Sequence, residues 1–161
     1  MYSGSLIKLV YFLTLNKNII YMKDFKYCIW YTPPSNHPWN YFTNGFPAHM
    51  SIKTELNYNQ ALLLFTKLKK QSIDIELEYL RCSEEDGFHA MYYTVKDFEN
   101  KPQWWPKNPH ISFLYKYDKK ITYIESHHLY NNMRISGGVL TNFHMVLCKG
   151  HYSKWKIINS K

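Results

Sequence analysis

The sequence predicts a single α+β domain. Three observations carry that class. Runs rich in β-branched and aromatic residues recur along the 161 residues, only two segments show helical spacing, and turn residues separate the runs at hairpin distances. The length suits one domain with a sizeable core.

Taken in order, Leu6–Leu15 reads LIKLVYFLTL, an apolar stretch interrupted by Lys8 and followed by Asn16, Lys17 and Asn18. It has no small-residue cleavage site and is too short to span a bilayer, so it reads as a short element packed on the domain. Residues 1–21 are an extension of uncertain role, Met22 is an alternative start, and 22–161 form the domain. Phe25–Thr32 alternates, is β-rich and ends at Pro33-Pro34: a strand. Ser35–Gly45, with Trp39, Tyr41 and Phe42, is an aromatic loop. Ala48–Leu56 is a strand. Asn57 or Asn59 caps a helix through Ala61, Leu62, Phe65 and Leu68. Ile73–Arg81 and Phe88–Val95 form a hairpin around Glu84-Glu85-Asp86-Gly87. Lys96–Asn108 is a loop carrying Trp104 and Trp105. His110–Tyr117 is a strand, Ile121–Tyr130 a helix, Val139–Cys148 one strand after Gly137-Gly138, and Lys154–Ile158 a closing segment.

The net charge of +8 points to an anionic partner. The charge is diffuse, with no block of five like charges, which argues against duplex DNA and for a compact anion. Aromatic residues make up 18%, including 15 Tyr, and serve a core or base-stacking surfaces. Three cysteines, Cys28, Cys82 and Cys148, are widely spaced and support neither a disulfide framework nor a zinc site, so a reducing, cytoplasmic setting is expected. Residues with AT-rich codons abound. No membrane segment, cofactor or obligate protein partner is indicated.

Two stretches repeat one idea: FPAHMSIK at 46–53 and NPHISFLYK at 108–116. Each has a Pro before a His, then an apolar residue, a Ser and another apolar residue. On strands, alternation places Ala48, Met50 and Ile52 inward, and His49, Ser51 and Lys53 on an exposed face. In the second stretch it places Ile111, Phe113 and Tyr115 inward, and His110, Ser112, Leu114 and Lys116 outward. A third His-x-Ser, His151-Tyr152-Ser153, lacks the apolar flanks and reads as a turn. Two imidazoles can serve as general base and acid, and hydroxyls with amides or lysines can hold phosphate oxygens, which suits metal-free phosphodiester cleavage.

Paired His-x-Ser/Thr motifs with apolar flanks resemble the 2H phosphoesterase superfamily. His49 and Ser51 match its first motif and His110 and Ser112 its second, with Ser where many members have Thr. The resemblance runs from about Tyr27 to the C-terminus. It implies a bilobal fold, two antiparallel sheets facing across a cleft with helices outside and the motif strands central. It also implies cleavage of a phosphodiester by His49 and His110 with Ser51 and Ser112. Its members include enzymes, some viral, that destroy nucleotide signals, and this implies as substrate a small nucleotide with a 2′-linked phosphodiester.

Around the motifs, Tyr31, Trp39, Tyr41, Trp104 and Trp105 are candidates for stacking a base, and Lys53 and Lys116 for holding its phosphate. The aromatic loops can equally cover the core edge. His89, His127 and His128 read as structural or solvent-exposed. Cleavage of 2′,3′-cyclic RNA ends, an idle nucleotide-binding module and a metal-dependent hydrolase are the competing functions.

Overall fold

The structure, a computed structural model, describes residues 26–133 and 137–161. The N-terminal extension and the alternative start at Met22 lie outside the described residues. Eight strands and two α-helices follow in the order β1 (Tyr27–Thr32), β2 (Met50–Leu56), α1 (Tyr58–Lys67), β3 (Ile73–Glu85), β4 (Phe88–Val95), β5 (His110–Tyr117), α2 (Tyr123–Met133), β6 (Gly137–Leu140), β7 (Asn142–Leu147) and β8 (Lys156–Ser160). They make two four-stranded antiparallel sheets, β2-β1-β7-β8 and β5-β4-β3-β6. The α+β class holds. Among the described residues no helix is long and apolar enough to cross a membrane.

Local chemistry explains the elements. Asn57 accepts from the Gln60 amide at 2.8 Å and Gln60 from the Asn57 amide at 3.0 Å, a reciprocal cap that starts α1. Ala61 and Phe65, four apart, bury its inner face on the first sheet. Thr122 and Glu125 cap α2 in the same way. Asp86 and Gly87 both have positive φ, +50° and +76°, the pair a two-residue hairpin needs between β3 and β4.

The expected strand Val139–Cys148 is two strands. Thr141 breaks it, donating its amide to the Thr32 carbonyl at 2.8 Å. Before the break, β6 pairs with β3 in the second sheet; after it, β7 lies between β1 and β8 in the first. Apolar residues stand on both sides of Thr141-Asn142, so the segment reads as one strand in hydropathy.

The sheets meet along their edge strands. His49, just before β2, forms an isolated antiparallel bridge with Ser112 in β5, the Ser112 amide donating to the His49 carbonyl at 2.9 Å. On one side of this seam, Ile29, Tyr31, Phe143 and Met145 of the first sheet share a core with Met91, Tyr93, Val95 and Phe113 of the second, and both helices add to it. On the other side, Cys28, Trp30, Phe46, Ala90, Tyr115 and Val146 form a smaller cluster that lines the angle between the sheets.

Trp39 plugs the larger core and is fully buried. A Cβ on Gly138 of β6 would lie 2.5 Å from its ring. The indole is enclosed and has nowhere to retreat. Gly138→Ala is therefore expected to destabilise the fold by about 1–3 kcal/mol, as overpacking does; urea denaturation measures it, and an unchanged midpoint contradicts the packing described.

Candidate active site

A cleft of about 730 Å³ opens between the sheets. The second sheet lines it with Phe88, Ala90, Tyr92, His110, Ser112 and Tyr115. The first sheet and its flanks add Lys26, Cys28, Cys148 and Trp155, and the carboxylates Glu55, Glu84 and Glu85 stand at its margin. The expectation that lysines frame the site is corrected here, since Lys26 is the cation among these residues.

Both motif histidines are pinned alike. The Nδ1 of His49 lies 2.9 Å from the Pro47 carbonyl, and that of His110 lies 2.9 Å from the Asn108 carbonyl. A carbonyl can only accept, so each neutral ring holds its proton on Nδ1 and presents the Nε2 lone pair. The prolines preceding the two motifs thus belong to loops that return a carbonyl to the histidine two residues on.

Their surroundings differ. His110 is half-buried at the cleft, its ring 4.6 Å from that of Tyr92. His49, expected on an exposed face, is fully buried. Its ring stacks on Trp30 at 3.8 Å and meets Phe46 edge-on at 5.3 Å. Its Nε2 accepts from the Tyr115 hydroxyl at 3.0 Å. The face opposite the core is buried because the second sheet folds over it. Loss of water pushes the His49 pKa down to about 3, with nearby His110 and His144 adding to the effect against the favourable Pro47 carbonyl. Burial likewise pushes the Tyr115 phenol up, opposed by a hydrogen bond to Ser112. The pair is neutral and the phenol donates.

A bulge delivers Tyr115. Tyr92 pairs with Ser112 and Met91 with Leu114, so Phe113 is an extra residue in β5. Beyond it the faces exchange. Tyr115 joins His110 and Ser112, while Leu114 and Lys116 turn to the other side, the reverse of the expected alternation. Lys116 ends 2.7 Å from the Glu125 carboxylate on α2 and is not a cleft residue. Asn44 holds the outer edge of β5 in place, donating to the Tyr115 carbonyl at 2.7 Å and accepting from its amide at 3.1 Å.

The remaining candidates scatter. Ser51 is half-buried opposite Trp30 in the register, so it lies on the histidine side of β2. Lys53 is exposed beside two register shifts and lies outside the cleft lining. Tyr31 alternates with Trp30 onto the core face, where it stacks on Phe143 at 4.3 Å and donates to the Gln71 carbonyl at 2.7 Å. Trp104 packs edge-on against Tyr31 and Phe143, and Trp105 against Phe98, so both cover the core rather than the cleft. Trp39 is core, and Tyr41, 79% exposed, lines a shallow depression beside α2. Stacking positions at the cleft belong instead to Tyr92 and Trp155. Sequence reading missed these two, together with Tyr115 and His144. His144 pairs with Trp30 across β1 and β7 and bonds Thr32 and Ser160 at 2.8 and 2.7 Å. Its alternation with Phe143 and Met145 was the available signal.

The buried His49 makes stability depend on pH. The unfolded chain binds a proton here below about 6.5, whereas the folded chain binds it only near 3. Acid therefore favours unfolding, and stability falls as pH drops from 6.5 towards 3. His49 ring signals in NMR are expected to stay neutral at pH 5; a His49 that titrates between pH 6 and 7 contradicts the burial.

Comparison with protein-family models returns no match, and comparison with curated proteins returns no significant one.

Proposed function

We propose that the protein is a metal-independent phosphodiesterase of the 2H type. It hydrolyses a 2′-linked phosphodiester in a small nucleotide, a 2′,5′-oligoadenylate or a cyclic dinucleotide such as 2′,3′-cGAMP. The observation that carries this reading is the His49–Ser112 bridge, which sets the two His-x-Ser motifs side by side, the second of them lining the cleft. The two sheets then correspond to the two lobes of the 2H fold. The residue bias towards AT-rich codons and the viral members of that superfamily suggest a viral antagonist of nucleotide signalling in the host cytoplasm.

In this reading the phosphoryl group sits between His110, Ser112 and Tyr115. Water attacks phosphorus. Its proton passes to the Tyr115 oxygen as the phenolic proton passes to His49 Nε2, so the phenol stays neutral and the positive charge left on His49 is offset by the negative charge gathering on the phosphate. His110, entering the step as the imidazolium, donates its Nε2 proton to the departing ribose oxygen as the P–O bond breaks and is left neutral. Ser112, and Ser51 from the neighbouring strand, steady the phosphate oxygens. Trp155 and Tyr92 flank the nucleoside. The carboxylates Glu55, Glu84 and Glu85 repel a continuing phosphate chain, which favours a short substrate over long nucleic acid.

The sealed position of His49 favours a second reading, a nucleotide-binding module without turnover. Incubation with 2′,5′-oligoadenylate, 2′,3′-cGAMP and 2′,3′-cyclic mononucleotides, followed by chromatography, separates the possibilities. Cleavage of the 2′-linked compounds in the presence of EDTA is expected. Efficient opening of 2′,3′-cyclic phosphates alone would indicate RNA-end processing, and no cleavage of any would indicate a binding module.

His110→Ala is expected to lower kcat/KM by roughly 10²–10⁴-fold, the usual share of a general acid. Tyr115→Phe is expected to lower kcat with little change in KM. A more active Tyr115→Phe enzyme would show that the phenol obstructs His49 rather than serving it.

A further inference from the structure

On the face of the second sheet away from the cleft, β3 and α2 enclose a groove of about 550 Å³. Its floor is Tyr93, whose ring packs against Phe113. The Tyr93 hydroxyl is buried and, among the described residues, has no hydrogen-bond partner. A phenol removed from water without a partner is destabilising, and native structures hold few such groups.

The walls are aromatic and wet. Tyr123, His127 and Tyr130 follow one another along one face of α2 at helical spacing. The Tyr123 ring stacks on His127 at 5.4 Å and is 77% exposed. From β3, Tyr79 carries the Arg81 guanidinium 5.3 Å from its ring centre. Among the described residues, the register of β3 with β6 ends at Glu76. Rings that face water on two walls, above a floor with an unused hydroxyl, fit a flat ligand with polar atoms around its rim. A nucleobase has that form: its faces stack on Tyr and its edge bonds a hydroxyl. Glu78 in the lining disfavours seating a phosphate inside, whereas the chain's charge of +8 attracts the backbone outside.

We propose that this groove binds one unpaired base of a short oligonucleotide, its edge turned to the Tyr93 hydroxyl. This second site is independent of the chemistry assigned to the cleft.

The test measures binding of fluorescein-labelled tetra-adenylate by anisotropy, in a His110→Ala background that disables the cleft acid. Tyr123→Ala is expected to weaken binding roughly tenfold or more, the scale of one base–aromatic stack. Tyr93→Phe is expected to raise Tm, because the unpaired hydroxyl is gone, and at the same time to weaken binding. A purely structural tyrosine gives no such opposition. Unchanged affinity in both variants overturns the proposal, as does displacement of the probe by N-acetyltryptophanamide but not by adenosine, which would assign the groove to an aromatic peptide side chain. Turnover in the otherwise wild-type chain reports on the cleft separately.

Discussion

The hydrogen bond from the Ser112 amide to the His49 carbonyl sets the geometry of everything around it. It joins the edge of one sheet to the edge of the other, and it does so through the two motifs themselves. Its own contribution, about 0.5–1.5 kcal/mol, cannot hold two sheets together. That work falls to Trp39 and the core shared by both sheets. The bridge decides register instead. With Ser112 opposite His49, the bulge at Phe113 brings the Tyr115 hydroxyl onto His49 Nε2. Shifted by one residue, the same strands would present Leu114 or Lys116 there.

Burial gives this arrangement its chemical character. Far from water, His49 resists a positive charge and Tyr115 resists a negative one, and each is hydrogen-bonded in its neutral form. Neither can act alone at neutral pH. Together they can take up a proton without forming a phenolate, the charge left on His49 being offset by the phosphate, and that is the role proposed for them. His110, at the open side of the same cleft, is the imidazole that meets solvent. The two motifs are therefore alike in sequence and in the pinning of Nδ1, and unlike in environment.

Much of this was legible in the sequence where the signal was local. Alternation in MSIKTEL and HISFLYKY marked the motif strands, Asn57 or Asn59 marked a helix start, and Glu84-Glu85-Asp86-Gly87 marked a hairpin. The motif histidines were found by their spacing to serine and their apolar flanks. What escaped was set by distant parts of the chain. Phe113 and Leu114 are both apolar, so the strand reads equally well with or without a bulge, and the bulge decides whether Tyr115 or Lys116 faces the cleft. Thr141 divides a segment that is apolar on both sides of it, and the division depends on Thr32 in another strand. The tryptophans were weighed between core and stacking surface, and Trp39, Trp104 and Trp105 went to the core because the residues they cover, Phe113, Phe143 and Tyr31, come from other elements. Trp155, far from both motifs in sequence, reaches the cleft from the strand β8 side.

The central claim is that His110 and the Tyr115–His49 pair address a single phosphoryl group. Five-coordinate vanadate on a nucleoside imitates that group in mid-reaction. The direct measurement is a titration with adenosine–vanadate, following the ring nitrogens of both histidines and the phenol carbon of Tyr115 by NMR. The account predicts that all three signals move along one saturation curve. Movement of His110 with Tyr115 and His49 unchanged would contradict it.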